Sequence, residues 1–341
     1  MEAVQEAIRV LAEGKDLTAD LMRRALTTVM TGESTQAQIG ALLMGLRVKG
    51  ETVDELVAAA KVMRELSVPV QIQDTSRLVD TCGTGGDGAS TFNISTAAAI
   101  VAACAGAKVA KHGNRSVSSR SGSADVLEAA GVTLDLSPAR VAQCIQTVGI
   151  GFLFAPRHHE AMRHASAARK ELAVRTVFNM LGPLTNPAGA RRQVVGVFSP
   201  HLLDVFAQVL RALGSECALV VRSADGLDEI SPAAPTDVAE LRDGVIRRYR
   251  VTPQELGLPE GRIEELQVGS AASSLSILRS VFAGTDGTAA TAVILNGAAA
   301  IYVAGLAADW QAAVEQARAI LKSGAAAAKL AEFVAFTRAA A

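Results

Sequence analysis

The stretch Gly83-Thr84-Gly85-Gly86-Asp87, followed by Asn93-Ile94-Ser95-Thr96 at the start of an alanine-rich run, decides the fold. It leaves the strand-like run Leu78-Val79-Asp80. Glycines tolerate positive φ and lack a Cβ, so the N–H groups of such a loop can converge on an anion. The helix that follows adds unpaired donors at its N-terminus. The order strand, glycine loop, helix therefore predicts a phosphate-binding loop in an α/β protein.

A second polar loop follows the next strand-like run, 108–110. It carries two cations, an amide and three hydroxyls around one glycine, in the order Lys111-His112-Gly113-Asn114-Arg115-Ser116-Val117-Ser118-Ser119. In open α/β sheets, ligands bind beyond the carboxyl ends of the strands, where both loops fall. We expect the two loops to bind the same phosphorylated molecule.

Short β-rich runs alternate with alanine-rich helical runs from about residue 77, which predicts a largely parallel sheet flanked by helices. The strand-like runs are 78–80, 108–110, 193–198, 218–222 and 293–295, and the helix-like runs are 97–105, 124–130, 202–213 and 311–323.

The first 67 residues predict four short helices, one of which begins with a capping box formed by Thr52 and Glu55. The fold class is therefore α/β, with a small N-terminal all-helical domain and a larger α/β domain. We place the helical domain at residues 1–70, with a contribution from about 165–190, and the α/β domain at residues 71–341.

Composition excludes several classes of protein. The chain has 341 residues with 33 basic and 34 acidic side chains, and its pI near 6.5 lacks the basic excess of nucleic-acid binders. Its four cysteines are widely spaced, which indicates neither a zinc ribbon nor a disulfide framework and suits a reducing cytoplasm. The uncharged stretch 287–308 is rich in Ala and Gly, so we expect a buried strand followed by a packed helix and no membrane span.

Two adjacent carboxylates, Asp228 and Glu229, follow the strand-like run 218–222. Magnesium in proteins is commonly bound by one or two carboxylates together with substrate phosphate oxygens, and the Ser95 hydroxyl is a further candidate ligand. The alternative is that the doublet is only a solvated turn. The two phosphate loops favour the metal site.

Taken together, these motifs resemble those of the anthranilate phosphoribosyltransferase family, and the resemblance covers nearly the whole chain. Further motifs in the expected order are Arg175-Thr176-Val177-Phe178-Asn179, Leu181-Gly182-Pro183-Leu184, Asn296 and Tyr302-Val303-Ala304-Gly305. The resemblance implies transfer of the phosphoribosyl group of 5-phosphoribosyl 1-diphosphate to the amine of anthranilate, with release of diphosphate, in tryptophan biosynthesis. It also implies magnesium, as two ions, and a homodimer formed through the helical domain.

The resemblance also implies roles for individual residues of this chain. The diphosphate side would be lined by Gly83, Gly86, Asp87, Thr91, Asn93, Ile94, Ser95 and Thr96, and the remaining phosphoribosyl group by Lys111, His112, Gly113, Asn114, Arg115, Ser116, Val117, Ser118, Ser119 and Ser123. Anthranilate would meet Gly83, Asn114 and Arg169, and magnesium would be organised by Ser95, Asp228 and Glu229. Arg169 suits that role because a guanidinium matches a carboxylate.

No covalent nucleophile is needed, since an aromatic amine is already nucleophilic at neutral pH. His112 is a candidate for accepting the amine proton, and the alternative is that it only orders its loop. The histidines in 156–160 fit no zinc signature; His159 aligns with a family histidine on the anthranilate side.

Two other functions are weighed against this one. A pyrimidine nucleoside phosphorylase shares the general architecture, but its Gly-Arg-Gly run beside the lysine loop is missing here. A non-catalytic relative that binds nucleic acid would be expected to lose its acidic ligands and gain a basic groove. The acidic doublet and the near-neutral charge favour the enzyme, with small-molecule substrates and without nucleic-acid or membrane partners.

Overall fold

The computed structural model describes residues 2–116 and 120–339. Its N-terminal part is helical, as predicted, with α1 Glu2–Ala12, α2 Ala19–Met30, α3 Gln36–Lys49 and α4 Val53–Glu65. The predicted capping box is confirmed, because the Thr52 side chain accepts from the Glu55 N–H and the Glu55 carboxylate accepts from the Thr52 N–H. Two orphan N–H groups at the start of α4 are thereby satisfied.

A seven-stranded sheet forms the centre of the rest of the described chain, in the order β3-β2-β1-β4-β5-β6-β7. Its strands are β1 Leu78–Gly83, β2 Lys108–Gly113, β3 Ile150–Phe154, β4 Arg192–Gly196, β5 Cys217–Ser223, β6 Thr236–Arg242 and β7 Val245–Val251. The first five strands pair in parallel, and β6 and β7 add an antiparallel edge. The prediction of a mostly parallel sheet is confirmed.

Strands β3, β6 and β7 were not predicted. The turn between β6 and β7 is Asp243-Gly244, and both residues have positive φ, 51° and 77°. This dipeptide is one of the strongest short-range signals for a β-hairpin, so the sequence did contain the information for this edge.

The helices of the α/β part lie on both faces of the sheet. They are α5 Ile94–Cys104, α6 Ser123–Ala130, α7 Pro138–Val148, α8 Ala155–His158, α9 Arg163–Leu172, α10 Val177–Leu181, α11 Leu202–Ala212, α12 Ala271–Phe282, α13 Thr288–Val303, α14 Trp310–Lys322 and α15 Ala325–Arg338.

The predicted strand at 293–295 is wrong, because these residues lie inside helix α13. Nearly every residue of α13 is buried, so its apolar run has no helical periodicity to read. Small residues let α13 approach α5 closely: a Cβ on Gly297 would lie 2.9 Å from Val101. Within 2–116 and 120–339, no helix is both long enough and apolar enough to cross a membrane.

The two largest of three apolar cores in the described chain lie against the sheet. One contains α5, α13 and their neighbours, and the other joins the N-terminal helices to α9, α10 and α11. The Arg64 Nε at the end of α4 also donates to the Leu184 carbonyl at 2.7 Å. The N-terminal helices are thus fixed to the segment that carries Arg169 and Arg175.

Candidate active site

The glycine loop leaves the carboxyl end of β1 and leads into α5. Gly85, Gly86 and Gly88 have φ values of 67°, 80° and 78°, which residues with a Cβ rarely adopt. The glycines are therefore required by the backbone path of the loop, as expected for one whose N–H groups turn toward an anion.

The acidic doublet lies directly against this loop. The Gly85 N–H donates to Asp228 Oδ2 at 2.8 Å, and the Ser95 N–H donates to Glu229 Oε1 at 3.2 Å. A Cβ on Gly83 would lie 2.5 Å from Asp228 Oδ2, and a Cβ on Gly196 would overlap the Asp228 carbonyl oxygen. The ends of β1 and β4 must be glycine for the doublet to approach this closely.

Burial gives this doublet unusual electrostatics. Burial raises the pKa of Asp228 to about 7, and the negative charge of nearby Asp87 adds to this shift. It also raises the pKa of Glu229 to about 8, and the charge of Asp228 adds to that shift. Carboxylates held this close without a cation bind protons more readily, and a bound cation reverses that preference.

Lys111 projects from β2 into the same region and is 2% exposed. Its Nζ donates to the Thr81 carbonyl at 2.5 Å and to Ser95 Oγ at 3.3 Å. Burial lowers the Lys111 pKa, which the charges of Asp80 and Glu229 partly oppose. Lys111 of the second polar loop thus lies beside Ser95, in the first turn of the helix that follows the glycine loop.

Asp80, which sequence reasoning did not select, ties the two loops together. This buried carboxylate accepts from the His112 N–H at 3.1 Å and from Asn186 Nδ2 at 2.8 Å. Burial raises its pKa, and the charge of Lys111 opposes the shift. The sequence did contain a signal for Asp80, since it is the charged residue of the strand-like run 78–80. A charged residue in a buried strand rarely lacks a partner, so its presence there indicates a buried interaction.

Asn93 is also held by partners that the sequence did not reveal. Its Oδ1 accepts from Ser121 Oγ at 2.8 Å and from Ser274 Oγ at 2.7 Å, and its Nδ2 donates to the Ser121 carbonyl. Ser274 lies on α12, so a distant helix fixes the start of α5. Nothing in local sequence spacing could connect these residues.

The second loop is anchored to α6. Asp125 Oδ2 accepts from the Ser116 N–H at 3.0 Å and from the Gly122 N–H at 2.9 Å. Arg115 pairs with Asp125 and Glu128 at 3.2 and 2.7 Å, and these partners raise its pKa. Val117, Ser118 and Ser119 lie outside the described residues.

The other residues predicted to bind phosphoribosyl diphosphate differ in accessibility. Ile94 and Thr96 are buried, whereas Asn114 is exposed and its carbonyl accepts from Ser123 Oγ at 3.4 Å. Asp87, Thr91, Gly113 and Ser123 are partly exposed, and Thr91 bridges to Gln267. Ile94 can therefore offer a ligand backbone groups more readily than its side chain.

Two buried histidines face each other beside the second loop. The rings of His112 and His159 lie 5.1 Å apart, and His112 Nδ1 is 3.1 Å from the Gly182 carbonyl. Burial lowers the pKa of His112 to about 3 and that of His159 to about 4. The charge of His159 lowers the pKa of His112 further, and the charge of His158 does the same to His159. His112 Nε2 has no hydrogen-bond partner in the described chain, whereas a backbone interaction with Thr185 partly opposes the lowering of the His159 pKa.

Two arginines lie on the segment attached to the helical bundle, and one of them, Arg175, reaches the glycine loop. The Arg169 guanidinium lies 5.3 Å from the Phe178 ring centre, and no carboxylate in 2–116 or 120–339 pairs with it. Arg175 donates to the Gly86 carbonyl and stacks on Phe198 at 4.4 Å. Arg175 thus reaches the glycine loop, a role that its position in the sequence motif did not reveal.

The donor set suits magnesium. Asp228, Glu229 and Ser95 offer oxygen atoms, which this ion prefers, and the missing side chain of Gly83 makes room for the Asp228 carboxylate. Among the described residues, no group of three or more His, Cys, Asp or Glu side chains forms a preformed metal cage. Magnesium in proteins is commonly held by one or two carboxylates together with water and phosphate oxygens, which matches the number of carboxylates that the doublet offers.

Comparison with known proteins gives the same family that the sequence motifs resemble. Residues 75–327 match the model described as glycosyl transferase family, a/b domain, and residues 5–67 match glycosyl transferase family, helical bundle domain. An anthranilate phosphoribosyltransferase from Alkalilimnicola ehrlichii is 55% identical over 335 residues, which cover 98% of this chain and 99% of the relative.

Two solved structures are similar over their full length. The crystal structure of anthranilate phosphoribosyltransferase from Thermus thermophilus has a TM-score of 0.92 and 43% identity, and covers 99% of this chain and 100% of its own. The enzyme from Saccharomyces cerevisiae in complex with PRPP and Mg has a TM-score of 0.90 and 26% identity, with 98% of each chain covered.

Proposed function

The chain belongs to the anthranilate phosphoribosyltransferase family, and from this premise we infer that it transfers the phosphoribosyl group of 5-phosphoribosyl 1-diphosphate to the amine of anthranilate, releasing diphosphate. It is a pentosyltransferase of tryptophan biosynthesis that uses magnesium. The predictions of family, fold class and enzyme class are confirmed.

One observation supports this function above the others: three separate chain segments meet around Ser95. Its N–H donates to Glu229, its Oγ accepts from Lys111, and its helix follows the glycine loop. Loop, cation and acidic doublet together suit a donor that carries phosphates and magnesium. We assign the diphosphate to the glycine loop and α5, and the rest of the donor to the second loop.

Catalysis then rests on electrostatic stabilisation of the leaving group and on positioning. Breaking the bond between C1 and diphosphate places negative charge on the diphosphate, near Lys111 and the N-terminus of α5. Asp228, Glu229 and Ser95 would hold magnesium, which when bound neutralises charge on the diphosphate oxygens. The position of the Lys111 Nζ is fixed before the reaction by its hydrogen bond to the Thr81 carbonyl.

We assign the carboxylate of anthranilate to Arg169, with Gly83 and Asn114 as further contacts. Arg169 is partly buried, which lowers its pKa, and a guanidinium nevertheless stays charged in proteins. His112 is neutral at physiological pH because burial depresses its pKa, so its free Nε2 can accept a proton from the amine.

We also propose that the enzyme binds two magnesium ions and forms a homodimer through its helical domain. We further propose that it acts in the cytoplasm and has no nucleic-acid partner. The proposed domain boundaries are 1–70, with a contribution from about 165–190, and 71–341. The packing of α9 and α10 in one core with the N-terminal helices supports that contribution.

The test is a fluorescence assay that follows anthranilate consumption with phosphoribosyl diphosphate and magnesium. Arg169→Ala should chiefly raise the anthranilate KM, and the control Lys170→Ala, an exposed neighbour on α9, should leave it unchanged. Asp228→Asn combined with Glu229→Gln should chiefly impair use of the metal-bound donor. Absence of anthranilate turnover by the purified wild-type protein, or turnover of thymidine with phosphate instead, would contradict the proposal.

A further inference from the structure

Asn296 lies in the middle of the buried helix α13 and is 2% exposed. Its Oδ1 accepts from the Ile230 N–H at 3.0 Å, and its Nδ2 donates to the Ile230 carbonyl at 2.9 Å. Nδ2 also donates to the Ala292 carbonyl at 2.9 Å, within the same helix. One side chain thus satisfies both backbone groups of Ile230, the residue that follows Glu229.

The acidic doublet is consequently fixed from two sides. On one side, Gly196 leaves just enough room for the Asp228 backbone at the end of β4. On the other, Asn296 fixes the peptide that links Glu229 to Ile230. A cavity of about 10 Å³, enough for about one water molecule, borders Ser95, Glu229 and Asn296. Asn296 therefore lines the same space as two of the proposed magnesium ligands.

We propose that Asn296 is a positioning residue for the metal site: by holding Ile230 it fixes where the carboxylates of Asp228 and Glu229 present their oxygens. This inference rests on the proposed function, because it takes the doublet as the magnesium ligands. A purely structural asparagine would stabilise α13 without affecting metal affinity. Groups that orient metal ligands typically change metal affinity about 10- to 100-fold when they are removed.

The experiment measures metal binding without turnover. Mn²⁺ is titrated into the protein in the presence of inorganic diphosphate, and free Mn²⁺ is followed by electron paramagnetic resonance. A protein-free titration at the same diphosphate concentration gives the Mn²⁺ bound by diphosphate alone, which is subtracted. The variants are Asn296→Leu, close in size but without hydrogen-bonding groups, and Asn296→Ser, which retains a hydroxyl and leaves room for water. Ile301→Val, a fully buried position further along α13, is the control for loss of helix packing.

Both Asn296 variants should bind Mn²⁺ at least about tenfold more weakly than wild type. The anthranilate KM at saturating magnesium should stay unchanged, and Ile301→Val should lower the Tm without weakening Mn²⁺ binding. Mn²⁺ affinity within about twofold of wild type in the Asn296 variants would overturn the proposal. An equal loss in Ile301→Val, or failure of both Asn296 variants to fold, would also overturn it, in favour of a structural role.

The variant carrying Asp228→Asn and Glu229→Gln separates this inference from the proposed function. Loss of Mn²⁺ binding in that variant, with normal binding in the Asn296 variants, would overturn the positioning role alone. Unchanged Mn²⁺ binding in the double variant would instead contradict the assignment of the metal site.

Discussion

Gly83→Ala should displace the Asp228 carboxylate and weaken use of the magnesium-bound donor. The added Cβ would lie 2.5 Å from Asp228 Oδ2, whereas ordinary contacts begin at 3.4 Å, so the oxygen must retreat by about 0.9 Å. That movement breaks the 2.8 Å bond from the Gly85 N–H. A hydrogen bond to a charged group is worth about 1.5–3 kcal/mol.

The expected consequence is a loss of roughly 10- to 100-fold in kcat/KM for phosphoribosyl diphosphate, since about 1.4 kcal/mol corresponds to a factor of ten. The assay follows anthranilate fluorescence while magnesium and donor concentrations are varied, and the magnesium requirement should rise in parallel. Gly40→Ala is the matched control, because a Cβ there has no neighbour within 4 Å and Gly40 lies inside helix α3.

A Gly83→Ala protein that folds, with magnesium and donor dependence equal to wild type, would refute the reasoning. It would mean that Asp228 can move away from β1 without consequence for the bound donor.

Three further predictions concern stability. Burial lowers the pKa of His159 to about 4, so on acidification this imidazole takes up a proton in the unfolded state first. In urea unfolding, the free energy of unfolding of wild type minus that of His159→Gln should therefore rise with pH from about 4 to 6.5, whereas the raised pKa values of Asp228 and Glu229 act in the opposite direction in both proteins and cancel from the difference; a difference that does not change with pH would contradict this. Asp80→Asn should lower the free energy of unfolding by about 3 kcal/mol in the same assay, because the new amide group faces the donors of His112 and Asn186 and the charge near Lys111 is lost. An unchanged urea midpoint would contradict this. Thr52→Ala should lower stability by about 1 kcal/mol, seen as a small fall in Tm by calorimetry with activity unaffected.

The sequence predicted those parts of the molecule that depend on local signals. Glycines after a strand, a threonine three residues before a glutamate and adjacent carboxylates after a strand each have a local physical meaning, and the structure has the corresponding loop, cap and doublet. The antiparallel edge was missed although Asp243-Gly244 signals it. The helix at 293–295 was misread because a helix that is buried all round has no polar face.

Long-range contacts in the site could not be predicted in this way. Asp80 bonds to Asn186, Asn93 to Ser274, and Asn296 to Ile230, across separations that no spacing rule covers. These contacts fix the groups that the motifs identify. The motifs therefore indicate which chemistry is present, while the fold determines how its parts are held.

The most direct test of the central claim is anomalous diffraction from crystals of this protein grown with Mn²⁺ and phosphoribosyl diphosphate. The glycine loop, Lys111 and the acidic doublet are expected to surround one donor molecule, with an anomalous peak within coordination distance of Asp228 or Glu229 and of the diphosphate oxygens. A donor bound away from the carboxyl ends of β1 and β2, or a metal peak without contact to either carboxylate, would contradict the account.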